Sequence, residues 1–481
     1  MSLNTSGSSD DGNPVPEPRP EVSDGKDPGD SSAGSSNNSA EQRIAEVSIT
    51  TAEMITVSAN ELNQMREFAM DEPTGVSGAL RYCKRRILFP YLRLLGVMGL
   101  KPTLNPESTE NGLCLIILNR VYFLLVVLLL LAGYVLQYLS CFRRDRGFLY
   151  KNENLERVPN DNQFRSICSG NPILIHVLPS VFHITSFLYM VYLYRFNDDE
   201  QLQNLMERVF IQATHSHSQF YSQKKLLRTL QHLVMSSLVW IITSTTCQLV
   251  QIWSAPHISF SNLPFSEDIQ GVLIGTLALS TTWQDSIQVT VIISYCIHCI
   301  LLSTYLELLN ARVQQNTISL SECIKEIGEL KKLISYLSDD LSPCLGPLLI
   351  LDAATAVSSI TFLALKGSHL HMYDFISLVI VATLWLLLFI FPITQAATLS
   401  ASCKQVLEIG HLVRLRPFGY QDIPQTDLDS FLLFVSTLRM DVRILKMPIS
   451  TPIIACSFSL IMFTTLMWGF FMSSFLATKS V

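Results

Sequence analysis

Seven long apolar blocks constrain this chain more than any other feature of its sequence. They fall at roughly 113–140, 172–194, 232–253, 286–308, 344–365, 375–398 and 452–476. A helix needs about 20 apolar residues to cross the hydrocarbon core of a bilayer, and each block reaches that length. Helices also satisfy their backbone hydrogen bonds internally. We therefore predict an all-α, polytopic membrane protein with seven transmembrane helices.

An eighth apolar stretch, at 271–283, precedes the fourth block. It is too short to cross a bilayer alone. We predict an outer, re-entrant or loop helix there. Two other segments, 304–342 and 426–447, have apolar residues at helical spacing, which predicts helices that project from the membrane on the N-terminal side.

Outside the blocks, the chain divides into a tail and a membrane domain. The first forty residues are rich in Ser, Gly, Asn, Pro, Asp and Glu and have almost no large apolar side chain. Such a segment buries too little surface to offset the entropy lost on ordering. We predict a disordered cytosolic tail at 1–75 and a seven-helix receptor or channel domain at 76–481. A basic amphipathic segment that begins at Arg81 suits the anionic inner leaflet.

Lys and Arg residues predict how the chain is oriented. Cytoplasmic loops carry an excess of both, and in a seven-span arrangement, counted from residue 78, the N-terminal side has twenty-one and the opposite side eight. We predict a plasma-membrane protein with its N-terminus in the cytosol and its C-terminus outside. The loop 141–171 does not fit this pattern, because it is predicted to lie outside and carries six Lys and Arg residues. Cys141 and Cys168 flank that loop, and whether they form a disulfide stays open at this point.

The composition argues against a soluble enzyme. Hydrophobic residues make up 48% of the chain, charged residues 15%, and the net charge is −6. Nucleic-acid binding needs clustered Lys and Arg, which occur here only beside the membrane. The sequence has no nucleophile–base arrangement, phosphate-binding glycine loop or metal-ligand cluster, and the CxxC pair Cys296 and Cys299 lies in an apolar block as core. We expect no catalysis, cofactor, metal or nucleic acid.

Polar residues inside the outer halves of the spans mark a candidate ligand pocket. Polar groups inside spans usually face a bundle interior or a cavity. Here they would offer hydrogen bonds beside aromatic walls to a small polar or amphipathic ligand. The alternative is that they only bond helix to helix. The candidate ligand-binding residues are His176, Ser180, His183, Ser244, Gln248, Gln251, Trp283, Asp285, Gln288 and Tyr295, with Ser358, Ser359 and Thr361 near them in span five.

Two further polar residues lie in the middle of spans. Asp352 in span five and His298 in span four could pair with each other or with local groups. In span seven, Thr465, Gly469 and Ser473 repeat every four residues. Such a stripe indicates either close helix packing or a pore wall.

The layout resembles the insect gustatory receptors and their gustatory receptor-like relatives. The resemblance rests on the approach segment Leu88-Phe-Pro-Tyr-Leu-Arg-Leu-Leu-Gly, the span-four exit Thr304-Tyr-Leu-Glu-Leu-Leu, and the 426–447 segment before span seven. It covers much of 88–476 in layout. The family's mark in span seven is Thr-Tyr, five apolar residues and Gln-Phe. This chain has Phe463-Thr-Thr-Leu-Met-Trp-Gly-Phe-Phe, without the Tyr and the Gln, so it is identified as a divergent member.

The resemblance implies a chemosensory, taste-type ligand-gated cation channel that responds to a small extracellular molecule. It implies a homotetramer, or a hetero-oligomer with related subunits, in the lipid bilayer. The residues of span seven that would line the pore are Thr464, Thr465, Gly469, Phe471 and Ser473. Two alternatives stay open: a non-conducting membrane scaffold of the same fold, and a metabotropic seven-span receptor.

Overall fold

A computed structural model of the chain describes residues 81–102, 112–148, 171–197, 201–214, 219–254, 260, 267–315, 317–366, 372–414 and 424–448. The helices in these ranges are α1 (Phe89–Val97), α2 (Gly112–Ser140), α3 (Leu178–Tyr192), α4 (Gln201–Thr214), α5 (Gln219–Ser254), α6 (Glu267–Gln314), α7 (Leu320–Tyr336), α8 (Ser342–Lys366), α9 (Met372–Arg414) and α10 (Gln425–Thr437). Single π-helical turns adjoin several of them, at Lys84–Leu88, Ile173–Val177, Leu193–Asn197 and Leu337–Leu341. One antiparallel hairpin joins β1 (Arg443–Ile444) to β2 (Met447–Pro448).

Six helices in the described part of the chain are long and apolar enough to cross a membrane. They are Ile116–Ser140, Ile173–Phe196, Gln223–Ser254, Asp268–Gln314, Leu320–Leu365 and Met372–Glu408. They overlap the first six predicted blocks in order, so the prediction of an all-α, multi-pass membrane protein is confirmed. The seventh predicted span, 452–476, and the predicted tail, 1–75, lie outside the described residues.

Helix α6 is the central element of the bundle. Of its most apolar window, 94% is buried, against 17–44% for the other five spans. It packs against α2, α5, α8 and α9, which explains how polar side chains on α6 are withdrawn from both lipid and water. At 48 residues it is about 72 Å long, more than twice the thickness of a bilayer core of about 30 Å. It therefore extends beyond the membrane.

The apolar stretch at 271–283 is not a separate outer helix. It forms the first part of α6, which continues without a break from Glu267 to Gln314. No proline occurs in that range, and Gly271 and Gly275 have open space around them. Because neither a helix breaker nor a packing constraint interrupts the stretch, the prediction of a re-entrant or loop helix there was wrong.

The predicted helix at 426–447 ends early, at Thr437. From Leu438 to Ile444, buried and exposed residues alternate, as in an extended strand. The hairpin follows, with Leu445 and Lys446 at positive φ in its turn, and the Leu445 backbone N–H donates to Ser342 Oγ at 3.1 Å. The prediction of a helix as far as 447 was wrong, because the apolar residues after Thr437 recur with a period of two.

The segments at the N-terminal side of the spans pack into a helical layer. The predicted helices in 304–342 are confirmed as the end of α6 and as α7, whose N-terminus is capped by Ser319 accepting from the Glu322 N–H at 3.3 Å. Side chains connect the layer across elements: Lys84 pairs with Glu207 of α4, and Arg312 donates to Gln212. This layer lies at the end of the bundle opposite to the site described next.

Candidate functional site

The segment that follows α2 turns back into the helix bundle. Arg143 and Gly147 exchange backbone hydrogen bonds of 3.1 and 2.7 Å, which closes a tight turn. Gly147 has a φ of +60°, and a Cβ there would lie 2.8 Å from Gln251 Oε1, so this position requires glycine. Phe142 and Phe148 are buried, with ring centroids 5.1 Å apart. We call residues 141–148 the inserted turn.

Asp145 connects the inserted turn to span five. Its carboxylate accepts two hydrogen bonds from Arg143, at 2.9 and 2.7 Å, and one from Arg146 Nε at 3.1 Å. Ser358 Oγ also donates to this carboxylate, and Ser359 Oγ donates to the Asp145 carbonyl at 3.0 Å. The two guanidinium groups and the carboxylate therefore neutralise one another in part inside the bundle.

Arg144 points in another direction, toward α6. Its Nη2 donates to Gln284 Oε1 at 2.6 Å and its Nη1 to Gln288 Oε1 at 3.2 Å. The same Nη1 lies 3.5 Å from Asp285 Oδ1, and the guanidinium Cζ lies 5.9 Å from the centroid of the Trp385 ring. Arg144 thus places a positive charge among three polar side chains of α6, Gln284, Asp285 and Gln288.

The carboxylates around Arg144 are bonded by neutral side chains as well. Asp285 accepts from Ser244 Oγ at 2.6 Å and from Gln248 Nε2, both on α5. Asp352 on α8 accepts from Gln288 Nε2. Asp285 and Asp352 are 1% and 0% exposed. This buried polar network connects spans three, four and five. Asp285 Oδ1 and Asp352 Oδ2 accept no hydrogen bond from the described residues, so the positive charge of Arg144 is the main compensation for these carboxylates.

Spans one and two join the same network through His183. Its Nδ1 lies 2.6 Å from Tyr134 Oη and its Nε2 3.0 Å from the Gln284 carbonyl oxygen. Gln137 Nε2 donates to Gln284 Oε1 at 2.7 Å. Both ring nitrogens of His183 are therefore engaged, and the ring orientation is set by its neighbours rather than by solvent.

A cavity of about 210 Å³ opens beside this network. It lies between spans one, two and five, and the inserted turn forms one wall. The lining is mixed: guanidinium, carboxylate, imidazole, hydroxyl and amide groups stand beside apolar side chains. The lining includes Tyr134, Gln137, Arg143, Arg144, His176, Ser180, His183, Ala354 and Thr355.

The structure divides the predicted ligand-binding residues into three groups. The first lines the cavity: His176, Ser180 and His183. The second belongs to the buried polar network: Ser244, Gln248, Asp285 and Gln288. The third lies elsewhere in the core: Gln251 against Gly147, Trp283 partly buried in the main apolar cluster, and Tyr295, which is 1% exposed.

Other predicted residues have local partners. Asp352 and His298 do not pair with each other, because His298 Nδ1 bonds the Ser294 carbonyl at 2.8 Å. Ser358 and Ser359 bond the inserted turn, whereas Thr361 donates to the Val357 carbonyl at 2.7 Å. Cys296 and Cys299 are buried free thiols, as predicted for core residues.

Sequence reasoning missed the inserted turn. Arg143, Arg144 and Arg146 are three of the six bases that dissent from the positive-inside count. All three are paired with carboxylates in the bundle. The cationic residues in a loop predicted to lie outside were therefore the sequence signal for the inserted turn. Cys141 of this turn is disulfide-bonded, and Cys168 lies outside the described residues, as do the predicted pore-lining residues Thr464, Thr465, Gly469, Phe471 and Ser473.

Comparison with solved structures identifies the fold. The chain is similar to the insect olfactory receptor OR5 from Machilis hrabei in complex with eugenol, with a TM-score of 0.56 and 11% identity over 80% of this chain and 98% of the receptor. It is similar to OR5 without that ligand, with a TM-score of 0.55 and 12% identity over 79% of this chain and 96% of the receptor. No family model matches the chain, and no curated protein matches it in sequence.

These similarities extend over nearly the whole length of the receptor but at low identity, so they concern the fold. OR5 is described as an insect olfactory receptor. The resemblance predicted from the sequence is confirmed at the level of the fold. The protein has the seven-transmembrane, all-α fold of the insect olfactory receptors.

Proposed function

We propose that this protein is a chemosensory-type, ligand-gated cation channel that binds a small polar molecule in the cavity beside the inserted turn. The observation that carries the proposal is the cavity itself: a membrane bundle with the olfactory receptor fold has a polar chamber connected by hydrogen bonds to its central helix α6. A pocket with a few convergent polar groups is the usual form of a small-molecule site.

The size and lining of the cavity indicate the class of ligand. Its volume of about 210 Å³ is below the range of about 300–1,000 Å³ that accommodates drug-sized molecules. Arg143, Arg144 and His176 present donors to it, and the Thr355 hydroxyl, which donates to the Leu351 carbonyl, can accept. A small molecule with acceptor oxygens, such as a hydroxy or carboxylate compound, matches these groups better than a hydrocarbon does.

A path from the cavity to the rest of the bundle supports gating by such a ligand. Arg144 lines the cavity and also bonds Gln284 and Gln288 of α6. A ligand acceptor that competed for this guanidinium would change the hydrogen bonds of the central helix. In the proposed mechanism, that competition shifts α6 between two arrangements, and span seven, at 452–476, responds as the pore wall.

The orientation proposed for the chain has its N-terminus in the cytosol. The pairing of Arg143, Arg144 and Arg146 supports it, since bases neutralised inside the bundle count less toward orientation than free ones. The cavity then opens to the outside of the plasma membrane. We further propose a homotetramer, or a hetero-oligomer with related subunits. Leu433 and Met447 support this, because these apolar side chains are 67% and 65% exposed outside the spans.

A non-conducting scaffold of the same fold is the second candidate. Span seven has Phe463-Thr-Thr-Leu-Met-Trp-Gly-Phe-Phe, in which the family's Tyr and Gln are absent. A pore without those polar side chains offers fewer groups to replace the hydration shell of a cation. This departure favours a protein that binds ligands or partners without conducting ions.

Electrophysiology separates the two candidates. The full chain is expressed with surface-accessible tags and exposed to a panel of small hydroxy and carboxylate compounds, and current and binding are measured in parallel. We expect an evoked cation current that the cavity-filling variant described in the Discussion abolishes. Binding without current would favour the scaffold, and neither binding nor current at verified surface expression would contradict both.

An epitope test checks the orientation separately. A tag at Met1 should be reached by antibody only after permeabilisation, and a tag after Val481 should be reached in intact cells. The reverse pattern would turn the cavity toward the cytosol and contradict a receptor for extracellular molecules.

A further inference from the structure

A second crevice lies at the opposite end of the bundle, between spans one and two. Its volume is about 490 Å³, larger than that of the proposed ligand cavity. Two arginines, Arg120 and Arg195, and the amide of Asn119 form its polar lining, and the remaining lining side chains are mostly apolar. None of its described lining residues is acidic. The described lining therefore carries two positive charges and no negative one.

Arg120 is the more unusual of the two cations. It lies on α2, eight residues after the helix begins at Gly112, which places it about 12 Å along the helix axis and inside the apolar span Ile116–Ser140. It is exposed on the outer surface of the bundle, and within the described part of the chain no hydrogen bond or ion pair engages it. An arginine one turn inside the end of a span extends its guanidinium toward the lipid head groups, where an anionic head group is a suitable counter-charge.

Arg195 presents its charge to the same space from span two. Its Nη2 donates to the Gly99 carbonyl at 3.0 Å, and its Cζ lies 4.9 Å from the centroid of the Phe123 ring. These contacts fix the guanidinium against the crevice wall before any ligand arrives. A planar guanidinium held in this way is suited to bidentate recognition of a phosphate.

The apolar walls of the crevice face the lipid. Ile116 is 44% exposed, Leu188 46% and Phe196 79%. Tyr192 and Phe196 stack with ring centroids 6.2 Å apart and extend that wall. An acyl chain would cover these side chains, whereas a free phosphate ion would contact only the arginines. The combination of a cationic end and lipid-facing apolar walls selects an amphiphile with an anionic head.

We propose that this crevice binds one anionic glycerophospholipid of the leaflet on the N-terminal side of the protein. The phosphate and head group lie between Arg120 and Arg195, and an acyl chain lies along Ile116, Leu188 and Phe196. In the proposed orientation this is the cytosolic leaflet, where anionic lipids are concentrated. The lipid supplies the counter-charge that Arg120 lacks.

Native mass spectrometry of the full chain, extracted from nanodiscs of equimolar phosphatidylcholine and phosphatidylserine, tests the proposal. We expect phosphatidylserine to be retained in preference to phosphatidylcholine. Arg120→Gln should reduce that preference about tenfold, which corresponds to the loss of one charge-assisted hydrogen bond. Arg120→Gln disturbs no described hydrogen bond, so it should fold; its thermal unfolding in detergent is measured alongside.

Arg93→Gln is the matched control, because Arg93 is an exposed base on the same side of the membrane that does not line the crevice. It should retain the full preference. Equal retention of the two lipids by the unmodified chain would overturn the proposal. An equal loss of this preference in Arg93→Gln and Arg120→Gln would also overturn the proposal, since any base on this side of the protein would then attract the anionic lipid. Displacement of the lipid by inorganic phosphate would show an ion site instead and reject the lipid.

Discussion

Arg144 on the inserted turn lies 3.5 Å from Asp285 in the middle of α6, and both side chains are withdrawn from solvent, at 12% and 1% exposure. Ser244 and Gln248 bond the other oxygen of the same carboxylate. The pair therefore joins a segment between spans to the most buried helix of the bundle. Because both side chains are buried, removing either one leaves the charge of the other uncompensated.

Replacing Arg144 by Gln should destabilise the protein strongly. Removing one partner of a buried ion pair costs about 3–5 kcal/mol, because the remaining charge is left uncompensated. Thermal unfolding in detergent should show a clearly lower midpoint, and the double variant Arg144→Gln, Asp285→Asn should recover part of the loss. Arg208→Gln is the control, since its pair with Glu329 is largely exposed and contributes below about 1 kcal/mol. Equal effects of the two single variants would contradict the prediction.

Gly133 should not tolerate even a methyl group. A Cβ at this position of α2 would lie 2.5 Å from Ser280 Oγ and 2.6 Å from Ser280 Cβ on α6. Separating the helices to admit it should cost about 1–3 kcal/mol. Gly275→Ala, on α6 with open space around it, should instead stabilise the helix by up to about 1 kcal/mol. Unfolding midpoints that moved in the same direction for both variants would contradict this close approach.

Filling the cavity should remove the response to a ligand. Ala354 on α8 lines the cavity, and Ala354→Phe places a ring in a space of about 210 Å³. We expect the half-maximal concentration of an activating compound to rise at least about tenfold at unchanged surface expression. Ala364→Phe, at an exposed alanine on the same helix that does not line the cavity, should respond normally. A normal response of Ala354→Phe would exclude the cavity as the ligand site.

The ion pair between Lys84 and Glu207 should make a small, pH-dependent contribution to stability. The hydrogen bond from Lys84 lowers the pKa of Glu207 below its ordinary value of 4.5, against the opposing effect of burial. Since the folded pKa is the lower one, the contribution is complete above pH 4.5 and is lost as the pH falls through the folded value. Both side chains are about one-third exposed, so it should stay below about 1 kcal/mol.

Unfolding of the unmodified chain and of Glu207→Gln, measured from neutral pH to about pH 3, checks this sign. The gap between the two should be present at neutral pH and close in acid. A gap that persisted in acid would show that the carboxylate acts through packing rather than charge.

The predictions from the sequence agree with the structure wherever a feature depends on the residues of one segment alone. The six described spans follow from runs of apolar residues, because crossing a bilayer depends on the composition and length of one segment. The predictions and the structure disagree where the pattern of one segment fits two different structures. The stretch 271–283 is short by itself but continuous with span four, and Leu438–Ile444 satisfies a period of two as well as a helical stripe.

The sequence by itself determined the membrane class, the order of the spans and the polar positions His176, Ser180 and His183 of the cavity. Only the tertiary structure decided that Arg144 reaches Asp285, that Asp145 bonds Ser358, and that Ser244 and Gln248 belong to a network apart from the cavity. The physical reason is that a buried charge is stabilised by whichever groups the packed helices bring to it. Those groups come from segments far apart in the chain, so no pattern within one segment specifies them.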